Sequence, residues 1–195
     1  MKKQRGTPLI TKILDAALME ITRVGPYDLA IEDVAKRADV NKTTIYRRWP
    51  TPQALVLSAF EHGSAKAPLP DTGSLREDVV EAVKLMREVC RSPAMLSLAR
   101  MQLTGELTGE LREWLISRTK DTDCDTLVMF QRAQARGELP TGSDIELVRD
   151  LVLGSAQYVL YFRDAELADH KLEQIIGMSL TGAGYMPAAA DTQRT

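Results

Sequence analysis

Between Lys42 and Arg48 the chain gathers an ammonium, two hydroxyls, a phenol and two guanidinium groups without a single carboxylate. These come from Lys42, Thr43, Thr44, Tyr46, Arg47 and Arg48. At ~100° per residue on a helix, Ile45 and Trp49 share one side with Val40 just before them, and that side must turn inward. Thr43 and Arg47 then point the opposite way, flanked by Thr44 and Arg48 on one side and by Tyr46 on the other. Such a surface donates hydrogen bonds to phosphate oxygens, and arginine also bonds the guanine edge in the major groove. Asn41 is suited to cap this helix, leaving its N-terminus to face a phosphate. The chemistry implied is recognition rather than catalysis. His62 and His170 stand alone, with no carboxylate or cysteine at ligand spacing, and no nucleophile–base pattern occurs. No enzyme activity, cofactor or metal is expected.

Apolar residues recur at helical spacing along most of the chain, and no alternating strand pattern is found. Ile10, Ile13, Leu14, Ala17, Ile21 and Val24 form one face of a first helix, with Thr7 and Pro8 at its start and Gly25-Pro26 at its end. Two short helices, Ile31–Ala38 and Lys42–Trp49, are separated by three residues. A helix opened by Thr51 and Pro52 follows, to about Ser64, and Ala67–Gly73 reads as a connection. Ser74 and Glu77 form a capping-box pattern before a helix to Cys90. Further helices are expected over Met95–Leu103, from Thr108 through Ala135, from a second Ser143/Glu146 box to about Arg163, and over His170–Leu180. The expectation is an all-α fold of about nine helices, with a polar tail from about residue 187 to 195. Two short helices packed on a longer preceding one form a helix-turn-helix.

The run IEDVAKRADVNKTTIYRRWPTPQALV, from Ile31 to Val56, resembles the DNA-binding core of the tetracycline-repressor (TetR) family of bacterial transcription regulators. RGELP, before a capped helix containing DLVLG, resembles one branch of that family. The resemblance implies a helix-turn-helix domain over residues 1–52, a connecting helix over 51–64, and a ligand-binding and dimerisation domain over 53–186. It makes Lys42, Thr43, Thr44, Tyr46, Arg47 and Arg48 the DNA contacts, with Thr44 and Tyr46 on phosphates and Lys42, Thr43 and Arg47 nearer base edges. Three positions depart from the family habit. Ala30 stands where a Ser or Thr usually caps the first short helix, Asp39 where the turn often has Gly, and Pro52 where a phosphate-binding Lys is frequent. Backbone affinity is therefore expected to lean on Lys2, Lys3 and Arg5, a basic arm before the first helix.

The net charge of −2 over 195 residues argues at first against a nucleic-acid binder. Its distribution reverses that. Residues 1–52 hold ten basic and six acidic residues, a balance of +4, and the remainder holds 15 basic and 21 acidic, a balance of −6. A basic head on an acidic body fits a DNA reader. No apolar run reaches membrane-spanning length, and neither cysteine shows metal spacing, which together point to a cytoplasmic protein with no membrane partner.

Val148–Phe162 is apolar nearly all round, so one face needs the chain's own core and the other a partner. In the family the last two long helices form a dimer interface. Leu153, Gly154, Ala156, Leu160, Tyr161, Ile176 and Leu180 are the expected contacts of a homodimer that would match a palindromic operator of double-stranded DNA. The family also implies a small-molecule effector, largely apolar, with Met86, Cys90, Met101, Trp114, Met129, Phe130 and Tyr158 as candidate lining residues. The rival reading is a helical adaptor of the same fold that does not read DNA. Retention of Thr44, Tyr46, Arg47 and Arg48 argues against it.

Overall fold

The computed structural model describes residues 7–64, 68–163 and 167–187. Among them are nine α-helices and no strand. They are α1 (Thr7–Val24), α2 (Ile31–Arg37), α3 (Lys42–Tyr46), α4 (Pro52–Gly63), α5 (Leu75–Cys90), α6 (Pro93–Thr104), α7 (Gly109–Ala135), α8 (Ile145–Tyr158) and α9 (Asp169–Gly182). A π-helical turn, Val159–Arg163, extends α8. The chain divides into two compact units, Met1–Lys66 with Ser92–Leu115 and Ala67–Arg91 with Ile116–Thr195.

In the first unit, α1 packs on α2, α4 and α6. Its expected stripe is the buried one: Ile13, Leu14, Ala17 and Ile21 are core, joined by Val34, Ile45, Trp49, Leu55 and Phe60. Thr51 caps α4 by accepting the Ala54 N–H, with Pro52 in the first turn. Phe60 stacks on Trp114 at the start of α7, with ring centroids 6.2 Å apart. Helix α4 also approaches α6 closely, since a Cβ on Gly63 would meet the Met95 sulfur at 3.0 Å.

In the second unit, α9 packs on α8 and α5. Leu75, Val79 and Val83 of α5 are buried, as are Val152, Leu153, Ala156 and Leu160 near α8 and Leu172, Ile176 and Leu180 of α9. Both expected capping boxes form differently. Ser74 occupies the cap position of α5 but makes no cap bond. The Leu75 N–H instead donates to the buried Glu138 carboxylate at 2.6 Å. Asp78 accepts both the backbone N–H and the hydroxyl of Thr72, at 2.7 Å each. Before α8 the cap is Asp144, not Ser143, and it accepts from the Leu147 N–H. Aspartate and serine are about equally good caps, so spacing to Glu146 could not choose between them. Past α9 the chain is still tied down, as Met186 N–H donates to the Glu138 carbonyl.

Candidate nucleic-acid interface

The reading element is α2, a tight turn and α3. Helix α2 ends with Asp39 in the left-handed region, φ 50°. The Val40 N–H bonds the Ala35 carbonyl and the Asp39 N–H bonds that of Lys36. These two bonds make a Schellman closure, which turns the chain sharply and usually uses glycine. Aspartate tolerates the same geometry better than most side chains do. At the other end of α2, Ala30 provides no side-chain cap. Glu32 and Asp33 in its first turn offset that loss by facing the positive end of the helix.

Asn41 caps α3, its side chain accepting from the Thr43 N–H at 2.9 Å. The α-helix proper is shorter than the expected Lys42–Trp49, but one more helical turn continues through the bond from Trp49 N–H to the Ile45 carbonyl. That turn keeps the expected phase. Ile45 and Trp49 are buried, Thr44 is half-buried, and Lys42, Thr43, Tyr46, Arg47 and Arg48 are exposed. All six residues predicted to meet DNA are thus brought onto one short surface.

Their electrostatics differ. Lys42 pairs with Glu32 at 3.5 Å across the turn. Arg23 and Arg37 are held by Glu20, a carboxylate buried on α1, and Arg23 also reaches Asp33. Burial pushes the Glu20 carboxyl up, but hydrogen bonds and charge from Arg23 and Arg37 outweigh it and hold the group below its ordinary value. Glu20 in turn raises Arg23. Among the described residues neither Arg47 nor Arg48 pairs with a carboxylate. Arg23 and Arg37 therefore brace the scaffold, whereas Arg47 and Arg48 face outward. Lys2, Lys3 and Arg5, the expected basic arm, lie outside the described residues.

Glu20 and Tyr27 were not foreseen. Glu20 could have been found as a lone carboxylate on the apolar stripe of α1. The Tyr27 hydroxyl accepts from the Thr108 N–H at 2.7 Å and donates to its carbonyl at 3.3 Å. This ties the loop before α2 to the α6–α7 connection over 81 residues, a contact with no local signature.

The sequence matches two family profiles. "Bacterial regulatory proteins, tetR family" covers residues 13–59, and "Tetracyclin repressor-like, C-terminal domain" covers residues 69–178. The chain belongs to the tetracycline-repressor family. The HTH-type transcriptional regulator AqdR of Rhodococcus erythropolis is 29% identical over 160 residues, 80% of this chain and 75% of that protein. The DNA-binding transcriptional repressor TetR of Mycobacteroides abscessus is 28% identical over 153 residues, 75% of this chain and 79% of that one. The solved structure of the fatty acid degradation regulator FadR from Bacillus halodurans superposes with a TM-score of 0.73 at 17% identity, covering 92% of this chain and 98% of that one. At that identity the likeness concerns the fold.

The remaining predicted residues of this TetR-family chain are spread more widely. Met101 and Trp114 belong to the first unit, and Met86, Cys90, Met129, Phe130 and Tyr158 to the second. Cys90, Met129 and Phe130 are buried, whereas Tyr158 is 59% exposed. A surface groove of about 760 Å³ beside α9, lined by Arg76, His170 and Met178 among others, includes none of these seven. Of the expected dimer contacts, Leu153, Ala156, Leu160, Ile176 and Leu180 are buried within the chain itself. They have no surface left to give a partner and are core. Tyr161 turns toward Cys90, and its phenol is pushed up to about 12, by burial first and by Cys90 second. Gly154 alone of that set faces open space, with nothing within 4 Å of a built Cβ. The outward apolar stripe consists instead of Leu147, Leu151 and Tyr158, with the Phe162 ring tilted against Tyr158 at a centroid distance of 5.6 Å. Cys90 and Cys124 form no disulfide. No described helix is long and apolar enough to cross a membrane, and no described group of three or more His, Cys, Asp or Glu side chains is arranged to hold a metal.

Proposed function

We propose that this TetR-family regulator is a repressor that binds a palindromic operator as a homodimer, placing α3 in the major groove. The observation that carries the reading is the outward face of α3: Arg47 and Arg48 exposed without carboxylate partners, on a helix locked in rotation by buried Ile45 and Trp49. An adaptor would have no use for two unneutralised guanidinium groups on one rigid face. The operator-reading head is residues 1–52 with its basic arm, and the body is residues 53–186.

The dimer is supported by the outward stripe of α8. Leu147, Leu151 and Tyr158 are 66, 49 and 59% exposed, at spacings of four and seven with Gly154 between them. Met178 of α9 is exposed as well. Apolar area of this kind is stabilised by a partner helix, and two heads related by a two-fold axis read two half-sites. The effector is a small, largely apolar molecule taken up among Met86, Cys90, Met129 and Phe130, where flexible methionines can repack. It acts by favouring the arrangement with the weaker operator affinity.

The test is gel retardation with DNA from the regions flanking the protein's own gene. Wild type is expected to retard one fragment specifically. Replacing Tyr46 and Arg47 together by Ala is expected to abolish that retardation with helicity and sedimentation unchanged. Equal retardation by the double variant would remove α3 from the reading role.

A further inference from the structure

We infer that Thr43 reads the major groove as a hydrogen-bond acceptor, selecting adenine or cytosine over guanine or thymine at one position of each half-site. The inference rests on the proposed placement of α3 in the groove and adds to it the base class that one residue selects.

The position of the Thr43 hydroxyl proton follows by elimination. The Asn41 side chain accepts the backbone N–H of Thr43 at 2.9 Å. A backbone N–H can only donate, so the amide atom facing it is the carbonyl oxygen Oδ1, and the amide orientation is settled. The same Oδ1 lies 2.5 Å from the Thr43 hydroxyl. An amide oxygen carries no proton, so the hydroxyl must be the donor. A threonine hydroxyl has one proton and two acceptor lone pairs. With the proton committed to Asn41, the exposed Oγ1 offers only lone pairs to whatever approaches.

In the major groove, donors are presented only by the exocyclic amines, adenine N6 and cytosine N4. Guanine presents O6 and N7, and thymine presents O4, all acceptors. Lone pairs set against lone pairs leave both groups unsatisfied, so Thr43 discriminates amino from keto bases on the strand it touches. Arg47 lies four residues on, one turn along the same face, and has donors only, which suits guanine. The two outward residues therefore have opposite polarity. Lys42 lies beside them with its ammonium drawn toward Glu32.

The test is selection of duplexes from a randomised library by the full-length protein, followed by competition binding. Wild type is expected to select A or C at one position per half-site. Thr43→Ser keeps the hydroxyl and is expected to keep the preference. Thr43→Val keeps shape and branching, and is expected to lose about 3- to 10-fold of the amino-over-keto discrimination there. The guanine positions that depend on Arg47 should be unchanged. Exchanging the selected base's amino group for hydrogen should cost wild type the same factor and Thr43→Val nothing. If the position relaxed in Thr43→Val is G or T in wild type, or if no position relaxes, the inference is overturned while specific binding stands. A wild type that selects no sequence removes the major-groove reading, and this inference with it.

Discussion

The carboxylate of Glu138 accepts the backbone N–H of Leu75 at 2.6 Å, capping α5 from 63 residues away. The same side chain pairs with Arg136 at 2.5 Å, and Glu138 is fully buried. In the RGELP run, Gly137 takes φ 79°, which swings Glu138 back under α5, and Leu139 is buried beside it. Removing the carboxylate leaves α5 without this cap and the partly buried Arg136 guanidinium with only the longer contact to Asp78, at 3.9 Å. Glu138→Ala is expected to destabilise the protein by about 3–5 kcal/mol in urea unfolding. Glu138→Gln retains a capping oxygen and should lose less. Equal losses in the two variants would mean that the capping oxygen contributes nothing and the charge pair carries the whole effect.

That relationship also marks where sequence reading stops. The α3 surface was legible because two apolar residues four apart, Ile45 and Trp49, decide how the helix rotates, and the other side chains follow. On α8 nearly every position is apolar, so periodicity cannot say which face is core. Of the expected interface residues there, Leu153, Ala156 and Leu160 are interior, and Leu147, Leu151 and Tyr158 are the ones left outside. The caps failed for a related reason. Ser74 has the right type and spacing, but the Glu138 carboxylate, from the loop just after α7, occupies its place. Local patterns identify residues able to cap, and tertiary structure chooses among them.

The two faces of α8 give a direct contrast. Leu151→Glu puts a charge on the outward stripe and is expected to yield a folded monomer in sedimentation at micromolar concentration, with helicity retained. Leu153→Glu buries a charge in the second unit's core and is expected to abolish cooperative unfolding. A dimeric Leu151→Glu variant would place the interface elsewhere.

Glu20 sets an acid limit on the reading unit. Its carboxyl is held below the ordinary 4.5 in the folded chain, so folding favours the ionised form. The contribution is therefore fully present above the unfolded value and is lost as pH falls through the folded one. Thermal melts between pH 6 and about pH 3 should show falling stability in wild type. Glu20→Gln should start lower at pH 6 and fall less steeply. Parallel curves would show that Glu20 does not titrate across the transition.

Glu32 restrains Lys42 at 3.5 Å, and both side chains are well exposed. An exposed pair contributes little to stability but adds negative charge beside the phosphates. Glu32→Gln is expected to leave thermal stability within about 0.5 kcal/mol. It should tighten operator binding about 2- to 5-fold at low salt, and the gain should shrink as salt screens it. Unchanged affinity across salt concentrations would place Lys42 away from the DNA.

Asp39 holds the turn between α2 and α3 at φ 50°, the one non-glycine residue in the left-handed region among those described. Glycine reaches that geometry without the steric cost that an L side chain carries, about 1–2 kcal/mol for an ordinary residue and less for Asp. It also loses more backbone freedom on folding. The first effect wins where φ is already positive, so Asp39→Gly is expected to stabilise by about 0.5–1 kcal/mol. Removing an acidic group near α3 should also raise operator affinity at low salt. Asp39→Ala keeps the change of charge but has a Cβ and no side-chain oxygen for the turn. If Ala and Gly raise affinity equally while only Gly raises the melting temperature, charge and backbone strain act separately at this position. Destabilisation by Gly would mean that the Asp39 side chain itself holds the turn closed.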